Sequence, residues 1–115
     1  MKEEENSGFI YIYENPIFEK KTVKIGSTLN PAARLLTFKT YYPDLGYFSS
    51  LFKVELNNKF ADIGDIDLAI QDNLSDLNTS SLGSSGGFEH YLNQNIKDRV
   101  LETFSELNIL YDEID

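Results

Sequence analysis

The chain has 115 residues, 41% of them hydrophobic and 13% aromatic, which suffices for one core and excludes two domains of ordinary size. It contains no cysteine, which excludes a disulfide framework or a thiolate zinc site and fits a reducing compartment. No apolar run approaches the roughly 18 residues of a membrane span, and the opening MKEEENS has no signal-like apolar stretch, so a soluble intracellular protein of cytoplasm or nucleus, away from membranes, is expected.

Net charge is −9, the wrong sign for a generic nucleic-acid binder, but it is unevenly spread. Residues 1–60 hold 8 basic and 7 acidic side chains, whereas residues 61–115 hold 2 basic and 12 acidic ones. Five of the ten cations, Lys20, Lys21, Lys24, Arg34 and Lys39, fall within one short stretch. A local positive rim on an acidic body follows.

Residues 1–7 read as a disordered acidic leader, because nothing after Met1 is apolar, and residues 8–115 as a single domain. Phe9 to Tyr13 are β-branched or aromatic throughout and predict a first strand; Thr22 to Ile25 predict a second, ending at Gly26, with Glu14-Asn15-Pro16 turning between them. Asn30 is a suitable N-cap and Pro31 suits the first helical position, so a helix is predicted over about 31–39. On it Arg34 and Phe38 stand one turn apart, while Leu35 and Leu36 point more toward the core. Pro43, Asp44 and Gly46 break that helix, and residues 47–56 alternate loosely as a third strand.

From Asp62 to about Leu77 the positions Ile63, Ile66, Ile70, Leu74 and Leu77 recur at three and four, predicting an amphipathic helix capped by Asp62. Residues 78–87 are rich in Ser and Gly and read as a mobile connection. Asn93 or Asn95 caps a last helix with the stripe Ile96, Val100, Phe104 and Leu107, and Ile109, Leu110 and Ile114 remain in an acidic tail. Three antiparallel strands flanked by helices make an α+β fold.

Phe9-Ile10-Tyr11 followed by Lys24-Ile25-Gly26, an arginine on the next helix (Arg34) and a late glutamate beside an aromatic (Glu89 in Gly87-Phe88-Glu89-His90-Tyr91) resemble the GIY-YIG nuclease superfamily. The likeness is to its phage and large-virus branch, in which the second motif is often KIG. It runs from Gly8 to about Tyr91. It implies a metal-dependent endonuclease that hydrolyses DNA phosphodiesters, with Tyr11 as general base and Lys24 assisting by favouring the phenolate or holding the phosphate. Arg34 would fork onto phosphate oxygens, and Glu89 would bind a single Mg²⁺ or Mn²⁺. Gly26, Ser27, Tyr41, Tyr42 and His90 would support the site.

One helical turn after the arginine, where the family usually has His or Tyr, this chain has Phe38, which cannot move a proton; Tyr41 or Tyr42 would have to serve instead. On the second helix the family's Glu and His, four apart, correspond to Asp67 and Gln71. From the residues alone, the tyrosines alternating with Ile10 and Ile12 simply cover a sheet face, and Lys24 is a solvated strand lysine. His90, the single histidine, reads as structural or exposed. The alternative function is therefore a GIY-YIG-derived binding module of little or no nuclease activity, using its acidic C-terminal half as a protein-binding or DNA-mimicking surface. Oligomeric state is open.

Overall fold

The computed structural model describes residues 7–16, 18, 22–41, 46–57, 59–78 and 90–114. Among them run five strands and three α-helices: β1 (Ser7–Glu14), β2 (Thr22–Thr28), α1 (Pro31–Tyr41), β3 (Tyr47–Glu55), α2 (Ile63–Asn73), β4 (His90–Leu92), α3 (Ile96–Glu106) and β5 (Tyr111–Glu113). A single 3-10 turn, Ser75–Leu77, follows α2. The strands form one antiparallel sheet in the order β4-β2-β1-β3-β5.

The α+β expectation holds, but the sheet has five strands where three were expected. Both additional strands are three residues long, too short for a period-two pattern to stand out in sequence, and each is paid for by a partner already in place: β4 lies along β2 and β5 along β3. The end of α3 shows how the chain is turned into β5. Asn108 adopts a left-handed conformation (φ 57°), the Ile109 amide donates to the Phe104 carbonyl at 2.8 Å, and the Asn108 amide donates to that of Ser105 at 3.3 Å. This is a Schellman stop, and it delivers Ile109 into the core.

Other boundaries also moved. Ser7, read as part of the leader, begins β1, and residues 1–6 lie outside the described ones. Gly26 does not end β2 but sits within it, because pairing with β1 continues to Thr28. The expected N-cap of α1 forms: Asn30 Oδ1 accepts from the Ala33 amide at 3.0 Å. Asp62 and Asn95 occupy the N-cap positions of α2 and α3, yet neither side chain makes a capping hydrogen bond. The connection read as mobile lies almost wholly outside the described residues.

Strand alternation divides the apolar residues between two faces. Ile10, Ile12, Val23, Ile25, Phe52 and Val54 face Ile63, Ile66 and Ile70 of α2 and Ile96, Val100 and Phe104 of α3, forming the main core. Tyr11 and Tyr13 face the other way, against Phe38 of α1, with Leu35, Phe48 and Leu51 at the margin. The sheet is thus covered by two helices on one side and by one on the other.

Candidate active site

Of the residues singled out by sequence, Tyr11, Lys24, Gly26 and His90 lie on the single-helix face, beneath the helix that bears Arg34. Antiparallel pairing puts directly opposed residues on the same face, so the pairs Tyr11 with Gly26, Tyr13 with Lys24, and Lys24 with His90 carry one polar and aromatic row across three strands. Tyr11 is fully buried, and its ring lies directly over Gly26: a Cβ there would fall within 2.6 Å of Tyr11 Cζ and closer still to the hydroxyl oxygen. Only the missing side chain of Gly26 lets the phenol cross to β2. Gly46 does the same for Tyr13, whose hydroxyl also accepts from Asn15 Nδ2 at 3.1 Å.

Lys24 is not the solvated strand lysine expected from its neighbours; it is 8% exposed. Its Nζ stands 5.9 Å from the centroid of the Phe38 ring. Phe38 in turn meets Tyr11 edge-on at 5.7 Å and Tyr13 at 4.4 Å. The tyrosines do cover a sheet face, but the cover includes a buried ammonium. Its burial was not legible in sequence, because Phe38 and Lys24 are brought together only when α1 folds over the sheet.

Arg34 sits one turn before Phe38 on α1 and is exposed, along with Ala32 and Ala33. Its guanidinium makes no hydrogen bond or ion pair among the described residues. Leu36, expected to turn toward the core, is 63% exposed; among the described side chains of α1, Leu35 and Phe38 take it down to the sheet. From Thr22 to Tyr41 the chain has three cations and no carboxylate, so a phosphate approaching this face meets no repulsion from that segment.

His90 is buried rather than exposed, packed edge-on against Phe18 with ring centroids 4.9 Å apart. Ser27 points to the opposite face, where its hydroxyl donates to Asp67 Oδ2 of α2 at 3.2 Å. It ties β2 to α2 and does not join the Tyr11 row. Tyr41 is the last residue of α1, and Tyr42 and Glu89 lie outside the described residues. No three His, Cys, Asp or Glu side chains gather among the described residues.

The far side of the molecule is acidic. Exposed Asp65 and Asp72 on α2 and Asp98, Glu102 and Glu106 on α3 face away from α1. Within that side the Arg99 guanidinium forks onto Asp76 at 2.7 and 3.0 Å and donates to the Asn73 carbonyl at 2.9 Å. The charge-assisted hydrogen bond from Arg99 lowers the Asp76 carboxyl below its ordinary range. Two clefts, of about 300 and 440 Å³, open elsewhere, around Glu14 and Asn93; neither is lined by Tyr11, Lys24 or Arg34.

Fold and polar row together define a small α+β domain with one cation-bearing face built around a buried tyrosine. The chain belongs to the T5orf172 domain family, whose model matches residues 8–105. That domain is associated with nuclease-like proteins of the GIY-YIG type. Comparison with curated proteins and with solved structures returns no match. Among the described residues no helix is long and apolar enough to cross a membrane.

Proposed function

We propose that the chain is a GIY-YIG-type endonuclease that hydrolyses DNA phosphodiester bonds with the help of one divalent ion. The observation that carries the reading is the shared face of Tyr11 and Lys24 beneath the helix that bears Arg34. Tyr11, as the phenolate, takes a proton from the attacking water, whose oxygen forms the new bond to phosphorus as the bond to the leaving sugar oxygen breaks, and that oxygen takes a proton from solvent as it leaves. Arg34 holds the non-bridging oxygens, where charge builds up in the transition state. Lys24 lies two residues from Gly26 on the same strand face, about 7 Å along the backbone, and supports the phenolate or the phosphate. Glu89 is the residue that would hold one Mg²⁺ or Mn²⁺, which supplies charge neutralisation at the leaving oxygen.

The test is cleavage of supercoiled plasmid with Mg²⁺ and with Mn²⁺, comparing the unaltered chain with Glu89→Ala and Tyr11→Phe. Nicking or linearisation that both substitutions abolish is the expected result. Plasmid left intact with every divalent ion overturns it.

A second reading has its own support in the separation of charge between the two sides of the sheet: a binding module whose acidic α2 and α3 face meets a basic protein. Under it, Asp62→Lys, Asp65→Lys and Asp72→Lys weaken a protein contact and leave nothing catalytic to lose. DNA cleavage unaffected by those reversals favours the enzyme.

A further inference from the structure

Phe38 stands one turn after Arg34 on α1; its ring carries no titratable group, is 4% exposed and touches both Tyr11 and Tyr13. Burying an ammonium costs free energy unless something compensates it, and Lys24 is buried. The electron-rich face of an aromatic ring is one such compensation, effective within about 6 Å of the centroid and stronger where water is excluded. Phe38 meets that condition at 5.9 Å. Its ring is wedged between two other aromatic rings, so it cannot easily rotate away. A leucine of similar volume would fill the space and offer no such field.

We infer that Phe38 is a positioning residue: its ring holds the Lys24 ammonium on the Tyr11 face, so that α1 presents Arg34 outward to the phosphate and steadies Lys24 from above. The role rests on the nuclease reading for its catalytic consequence, but not for the contact itself. Helix α1 then contributes one cation directly and a second through the ring.

A fluorination series at position 38, from phenylalanine to its mono-, tri- and pentafluoro analogues, removes the ring's negative face at nearly constant shape, and Phe38→Leu removes the ring. Two readouts are taken on the full chain: kcat and KM for plasmid cleavage, and the NMR shift of the Lys24 side-chain protons, which a ring face moves upfield. Melting temperatures across the series check that the fold is kept.

Stepwise fluorination is expected to lower kcat progressively, reaching about tenfold in Phe38→Leu, with KM little changed. Phe38→Tyr should retain most of the rate. Lys24 proton shifts should drift toward free-lysine values in step with fluorination. A rate and Lys24 signals indifferent to fluorination overturn the inference and reduce Phe38 to a space filler. If the unaltered chain cuts nothing while the Lys24 signals still follow the series, the nuclease reading fails and the positioning contact stands.

Discussion

The phenol of Tyr11 lies across the sheet on Gly26, its directly opposed partner on β2. The pair couples the two sequence motifs physically: the first supplies the ring and the second leaves room for it. Gly26→Ala should therefore act on Tyr11 before anything else. Overpacking of this kind costs about 1–3 kcal/mol, and it should displace the phenol from any substrate. Thermal melts of Gly26→Ala, Tyr11→Ala and the double variant check it: the double variant should be more stable than the sum of the single losses implies, by about 0.5–3 kcal/mol. Additive losses would show that the two residues do not constrain each other.

Arg34 is exposed and has no partner among the described residues, so Arg34→Ala should change folding stability by no more than about 0.5 kcal/mol. If its guanidinium binds phosphate chiefly in the transition state, the cleavage rate should fall about two to three orders of magnitude, as on loss of one oxyanion donor. Arg34→Lys should recover little, because a point charge does not reproduce the fork. A large fall in melting temperature would reassign the residue to structure.

Binding of DNA should be weak in EDTA and strengthen with Mg²⁺, since the protein as a whole carries nine excess negative charges and a divalent ion bridges carboxylate and phosphate. Mg²⁺ should also raise the melting temperature by mass action, and Glu89→Ala should remove that increment. Tight binding to DNA in EDTA at moderate salt, measured by fluorescence anisotropy, contradicts this expectation.

The Asp76–Arg99 fork predicts an acid-sensitive contribution to stability. Its carboxyl is depressed in the folded chain, so the folded state binds that proton less readily than the unfolded one. The contribution is complete above the ordinary carboxylate pKa of about 4 and is lost as pH falls through the lower folded value. Melting curves of the unaltered chain and Asp76→Asn should differ at pH 6 and converge toward pH 2. A gap that persists in acid points to something other than the charge. The pair is solvent-exposed, so the difference should be small and shrink with salt.

Much of the fold was legible because it rests on short-range rules. The three-and-four spacing from Ile63 to Leu77 and from Ile96 to Phe104 marks helices whatever they pack against, although the first of these closes after Asn73 and continues as a 3-10 turn. Asn30-Pro31 starts α1 by local hydrogen bonding alone. The alternation around Tyr11 likewise assigns it to one face of a strand. Such features depend on neighbours within about four residues, and sequence order already contains them.

Tertiary structure decided what depends on residues far apart in the chain. His90 to Leu92 and Tyr111 to Glu113 become strands because β2 and β3 offer unpaired edges, not because three residues carry a β pattern of their own. Strand alternation already puts Ser27 on the Ile10 face, but only the fold brings Asp67, forty residues away, to its hydroxyl. Lys24 is a surface residue by composition and a buried one in fact, because α1 lowers the Phe38 ring over it. A strand's sequence determines which face a side chain takes; whether that face meets water or an aromatic ring is set by the helix that closes over it.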